Sequence, residues 1–316
     1  MNGEGGGRVR QALGLRREVV VGFAAAFLSM AVLAWFAATE WPGSPHHCAV
    51  VYRDALPTDL DVLPHECFCE NFDRGALRGH NDGIRQAANT LSNLFPFATG
   101  LWLALITGRD RIQDTLTPPR RDSPWGGHYP MILMLVLGFM APGSMVFHAS
   151  LTEWGGWVDN LSMLFFVYFL LAYGLVVRYS REDHQGRYAL FNAVFWLGVL
   201  ASMGLLIGTP LYRMGWGVLL LWPGVVFVLV EGYQALKHRQ GYGGFWAAVV
   251  AQGLAFAVWG QARFLGDPLC RGQRDLFGPD SWLQAHALWH VLSNVAALCV
   301  FFHFRQSSRD WEQADP

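Results

Sequence analysis

The sequence predicts an all-α integral membrane protein with eight transmembrane spans. Three observations carry this. Hydrophobic residues make up 53% of the chain and charged residues only 15%, against about 25% charged in a soluble globular chain. Apolar runs of about twenty residues, the length that crosses the hydrocarbon core of a bilayer, recur throughout. Many of the 14 Trp and 22 Phe fall near the ends of those runs, where amphipathic rings prefer the membrane interface. The net charge of −1 says little. Neither nucleic acid nor a protein partner is expected, only the bilayer and lipids dissolved in it.

Residues 1–17 are Gly-rich and basic and are read as a disordered N-terminus. An N-terminal transmembrane helix follows at residues 18–39, with Val19–Ala38 as its apolar part. A signal peptide is the alternative, but the apolar stretch exceeds the usual 7–15 or so residues of such a region. The end at Ala38-Thr39-Glu40 is also a poor cleavage site. A retained anchor is favoured. Residues 40–83 are polar and contain Cys48, Cys67 and Cys69. Seven further spans fill residues 84–305, at Ile84–Gly108, Tyr129–Leu151, Trp157–Val177, Tyr188–Gly208, Trp216–Leu236, Gly243–Phe264 and Leu283–Phe304. Residues 306–316 form a short tail.

Charge sets the orientation. With a cytoplasmic N-terminus, 15 of the 23 Lys and Arg fall on the inside, as the positive-inside bias requires. Both termini are therefore expected in the cytoplasm, with residues 40–83 exoplasmic. Cys48, Cys67, Cys69 and Cys270 then all lie outside, where an oxidising compartment permits up to two disulfides. Cys69–Cys270 is the favoured pair, since it would tie the segment before the core to the loop before the last span. Free buried thiols are the alternative. Cys299 lies within the last span.

The chemistry-bearing residues share one depth. His286 and His290 stand four apart in Gln284–Asn294, hence on one helical face, and histidine in an apolar span is a functional-site hypothesis by default. In the predicted topology they lie at the exoplasmic end of the last span. His148 lies at the exoplasmic end of the third span, with Ser144 one turn before it, and Asp159 lies at the exoplasmic start of the fourth. The hydropathy and charge counts behind that topology did not use these residues. Three histidines, two of them at i and i+4, suit tetrahedral zinc with water in the fourth position. Such a metal lowers the pKa of its water to about 7 and polarises a carbonyl. Asp159 could then act as general base and acid, and Ser144 could hydrogen-bond a developing oxyanion.

Plainer readings stand beside these. A lone interfacial His is usually structural, a Ser in a membrane helix usually bonds the carbonyl one turn back, and Asp159 could be an N-cap of the fourth span. Haem ligation is disfavoured, because two histidines on one helical face cannot approach one haem from opposite sides. A proton-coupled transporter would carry polar residues through the whole membrane depth. Here Glu231 is the main one away from the cluster.

The combination of Gly143-Ser144-Met145-Val146-Phe147-His148, Asp159, and His286-Ala287-Leu288-Trp289-His290 resembles the S-xxx-H…D…H-xxx-H pattern of the alkaline ceramidases. Their wider superfamily includes adiponectin/progestin-type receptors and GPI-anchor remodelling proteins. Cys69-Glu70, Ile84-Arg85-Gln86 and Asn89-Thr90-Leu91-Ser92-Asn93 resemble the ceramidase N-terminal signature specifically. The resemblance covers about residues 65–305. It implies a seven-helix core, zinc on His148, His286 and His290, catalytic roles for Ser144 and Asp159, and hydrolysis of the ceramide amide to sphingosine and a fatty acid. The lipid tail would lie among the core helices.

Two departures from the pattern matter. The span Val19–Ala38 is additional to the seven-helix core. Members with a calcium site use acidic and Asn ligands before and within the first core helix. Glu70 and Asn71 match part of that set, but Gln86 stands where a Glu is expected, at longer spacing, with Asp73 and Asp82 as alternative oxygen donors. A calcium site is therefore incomplete by this pattern. A zinc-containing receptor or sensor of the same superfamily, without turnover, is the alternative function.

Overall fold

The computed structural model describes residues 19–20, 23–24, 26–43, 83–116, 129–179, 184–208, 216–238, 241–264 and 284–314. Among the described residues the chain is helical, with no strand. Helix α1 (Ala26–Ala38) precedes the core. A short helix α2 (Ala87–Ser92) is followed by α3 (Leu94–Leu116), α4 (Tyr129–Ser150) and α5 (Glu153–Tyr179). Helix α6 (His184–Asn192) runs through a π-helical turn (Ala193–Leu197) into α7 (Gly198–Gly208). The last three are α8 (Trp216–His238), α9 (Gly243–Phe264) and α10 (Ala285–Ala314).

Six stretches among the described residues are long and apolar enough to cross a membrane: Ala87–Arg109, Tyr129–Ser150, Glu153–Val177, Gly186–Leu205, Gly243–Gly260 and Ala285–Ser307. Helix α1 is a shorter apolar helix. The first core span differs from the continuous helix expected over 84–108: it breaks at Asn93, which separates α2 from α3. The fourth span begins at Glu153, so Asp159 lies in its second turn and is not its N-cap. Thr152 takes that place, accepting the Gly155 N–H on its Oγ1 at 3.3 Å, as N-cap hydroxyls do.

Lipid is as apolar as a leucine side chain, so helices in a membrane associate by close packing and hydrogen bonding rather than by escape from water. Glycine makes the close packing here. A Cβ on Gly100 would lie 3.3 Å from Gly138 Cα, so α3 and α4 cross backbone against backbone. A Cβ on Gly143 would lie 3.0 Å from Ser162 Cβ and 3.3 Å from the Val158 carbonyl, which brings α5 against α4 beside Ser144. The link between α4 and α5 is only Leu151 and Thr152, and Leu151 adopts φ of +46°.

Most of the apolar core lies away from the histidines. Tyr129 and Leu133 of α4, Phe169 and Tyr173 of α5, and Phe301 and Phe304 of α10 belong to it. Tyr173 meets Phe304 with ring centroids 4.5 Å apart. The polar side chains gather where α4 ends and where α5 and α10 begin, with α2 packed against both α4 and α10. Other buried polar pairs lie elsewhere, among them Tyr168 with Ser202, and Glu231 of α8 with His303 of α10 at 3.3 Å. Ionisable groups at membrane depth are expensive unless paired.

Candidate functional site

His148, His286 and His290 converge. One ring nitrogen from each lies within 4.8 Å of the others, and all three side chains are buried. The His148 and His286 Nε2 atoms are 3.1 Å apart, and the His286 and His290 ring centroids are 4.5 Å apart. Convergence follows from local structure. The i,i+4 spacing in the first two turns of α10 stacks His286 and His290 on one face. The last turn of α4 delivers His148 from a facing helix.

Hydrogen bonds fix the ring states. His148 Nδ1 lies 2.6 Å from Gln86 Oε1. An amide oxygen only accepts, so His148 carries its proton on Nδ1 and presents a lone pair on Nε2. His290 Nδ1 lies 2.8 Å from Ser92 Oγ. The one hydroxyl proton of Ser92 is donated to the Asn89 carbonyl at 2.8 Å, so Ser92 accepts from His290 Nδ1–H. Asn93 Nδ2 also approaches that nitrogen at 3.2 Å, but its two protons are taken by the Asn89 carbonyl at 2.9 Å and Ser144 Oγ at 3.2 Å. His290 thereby also presents an Nε2 lone pair.

This arrangement fits a metal ion. Three neutral imidazoles are a common zinc donor set, and nitrogens about 2.0–2.1 Å from a tetrahedral zinc sit about 3.3 Å from one another. His290 Nε2 is buried with no hydrogen-bond partner in the protein, a state that costs about 1–3 kcal/mol unless a cation takes its lone pair. The Gln86 and Ser92 contacts are the outer partners that orient histidine ligands.

Ser144 and Asp159 sit beside the histidines. Ser144 Oγ, buried on α4, donates its proton to the Asp159 carboxylate of α5 and accepts from Asn93 Nδ2. Asn93, Ser144 and Asp159 thus form one directional chain. Its last member is half-buried and its first two are buried.

A family model, Ceramidase, matches residues 80–315, about three quarters of the chain. The chain belongs to the ceramidase family. That is a family of hydrolases acting on amide bonds, and its membership agrees with the apolar helices of a multi-pass membrane protein. No curated protein matches the sequence.

Of the residues singled out in the sequence, the structure brings together His148, His286, His290, Ser144 and Asp159. Glu70, Asn71, Asp73, Asp82, Cys48, Cys67, Cys69 and Cys270 lie outside the described residues. Cys299 is a free thiol. The sequence offered Gln86 only as part of a signature and as a misfit in a calcium pattern, and Ser92 and Asn93 only as parts of that signature. All three lie on or cap α2, and their contacts reach His148 and Ser144 on α4 and His290 on α10, which no spacing rule joins to α2.

Proposed function

We propose that this protein is a zinc-dependent intramembrane amidohydrolase that cleaves the amide of ceramide, or of a related N-acyl sphingoid lipid, to sphingoid base and fatty acid. The observation that carries the reading is the buried histidine triad with the Asn93–Ser144–Asp159 chain beside it. His148, His286 and His290 would hold the zinc. When bound, zinc supplies a Lewis acid that acidifies water and polarises the scissile carbonyl.

The protein's own groups account for the protons. Asp159 takes a proton from water as its oxygen bonds the carbonyl carbon, and later returns it to the leaving nitrogen, so the amine departs neutral as the C–N bond breaks and the carbonyl re-forms. Ser144 enters in sequence with Asp159. While Asp159 is ionised, the single Ser144 proton is committed to it. Once Asp159 is protonated it can donate to Ser144, whose own O–H then turns to the developing oxyanion. Asn93 holds the other lone pair of Ser144 Oγ and keeps the hydroxyl in line.

Eight spans, cytoplasmic termini and an exoplasmic site remain our topology, supported by the distribution of Lys and Arg. Calcium on Glu70 and Asn71 has less support. Gln86 stands at the position where the pattern expects Glu, and its Oε1 is engaged by His148.

Purified protein incubated with a fluorescent ceramide, with and without chelator, tests the reading. Release of fatty acid that chelator abolishes and zinc restores is expected. A zinc-loaded protein that releases no sphingoid base would instead be a receptor or sensor.

A further inference from the structure

Helix α1 stands outside the seven-helix core, yet its end is bonded to the segment that holds a metal-site histidine. The Ala37 carbonyl accepts the Gly83 N–H at 2.8 Å. Beyond the helix the chain hooks back, and the Trp41 indole N–H donates to the Gly83 carbonyl at 2.8 Å. Both backbone polar groups of Gly83 are therefore held by the N-terminal hook. Gly83 itself has φ of +81°, a conformation that favours glycine.

Two residues later the same segment grips α4. Arg85 and Gln86 donate their N–H groups to the Ala149 and His148 carbonyls, each at 3.1 Å. These carbonyls belong to the last turn of α4, which lacks intrahelical partners. The Gln86 side chain then accepts from His148 Nδ1 at 2.6 Å. Backbone and side chain of Gln86 thus hold one residue, His148, at two points.

Packing follows the same line. Leu33 and Trp41 form a small apolar cluster with Met145 and Ala149 of α4, separate from the main core. Met145 and Ala149 occupy the stripe next to Ser144 and His148. Trp41 is 1% exposed, and the hook is pinned from α5 by Trp154 Nε1 donating to the Pro42 carbonyl.

We propose that α1 and its Trp41 hook are a positioning device for the metal site, acting on His148 through Gly83 and Gln86. This rests on the reading above that the histidine triad holds zinc. Gln86 is a positioning residue. It sets the tautomer that leaves His148 Nε2 available, and the hook keeps it in reach.

The test measures zinc affinity of full-length detergent-purified protein by competition with a chromophoric chelator, with the cobalt(II) absorption spectrum as a second readout. Gln86→Leu is expected to weaken zinc about 10–100-fold, the usual cost of losing an outer partner. Gln86→Glu, which still accepts from Nδ1, restores affinity. Trp41→Phe keeps an aromatic ring but loses the indole donor, and is expected to weaken zinc by up to about tenfold and to perturb the cobalt spectrum. Combined with Gln86→Leu it adds little, because both changes act through one bond. Leu33→Ala thins the packing and leaves the hydrogen bonds, so it lowers the unfolding temperature without changing zinc affinity.

Wild-type affinity and spectrum in Trp41→Phe, or losses that multiply independently in the double variant, would overturn the proposal. So would an equal loss in Leu33→Ala. A His148→Ala protein that binds zinc like the wild type would sink the zinc reading itself, an outcome the other variants cannot imitate.

Discussion

The Nε2 atoms of His148 and His286 lie 3.1 Å apart, although one residue ends α4 and the other begins α10. Neither helix alone could make the site. A third nitrogen, His290 Nε2, is buried beside them without a hydrogen-bond partner.

Removing that third nitrogen should remove the metal. His290→Ala is expected to lose zinc and amidase activity together, because a closed three-ligand set becomes a two-ligand one. Elemental analysis of the purified variant checks this. A full zinc complement would exclude His290 as a ligand.

Asp159 is bonded to Ser144 and does not belong to the histidine group. Asp159→Asn should therefore keep zinc but lose turnover by about 10²–10⁴-fold, the range for a general acid–base group. The paired measurement is metal content against kcat. Normal turnover in the Asn protein would remove the proton-shuttle role.

Ser144→Ala deletes the hydroxyl between Asn93 and Asp159. Loss of one oxyanion donor costs about 10²–10³ in kcat, and KM should move little, since the donor acts on charge that develops only in the transition state. A variant that changes KM alone would place Ser144 in substrate binding instead.

Glu231 and His303 join α8 to α10 in the buried interior, farther along the helix that carries His286 and His290. His303→Leu removes one partner of a buried carboxyl group and is expected to destabilise the fold by about 1–3 kcal/mol. Zinc stoichiometry should stay intact in the folded fraction. Thermal unfolding alongside metal analysis separates the two effects, and loss of zinc without loss of stability would tie this pair to the site.

Much of the site was legible in the sequence because its spacing is local. Ser144 to His148 and His286 to His290 are each one helical turn, and histidine in an apolar run is too costly to be casual. Most helix bounds were legible for the same reason. Gly243–Phe264 matches as predicted, and Tyr129–Leu151 ends one residue early at Ser150. Hydropathy runs straight through the break at Asn93. Its sign in the sequence is Pro96, which has no N–H to bond the Ser92 carbonyl, and the Asn93 side chain at the break bonds Asn89 and reaches Ser144.

Composition and helical spacing alone specify an apolar, helical chain with long membrane-length runs, two histidines one turn apart, and a serine one turn before a third. Those features depend on composition and on periods of one helical turn, which a linear text records. Tertiary packing is what sets Gln86 against His148, Ser92 against His290, and the N-terminal hook at Trp41 on Gly83. These contacts join elements 62, 198 and 42 residues apart in the chain. Hydrogen-bond geometry across such distances is set by how the helices pack, and no local pattern encodes it.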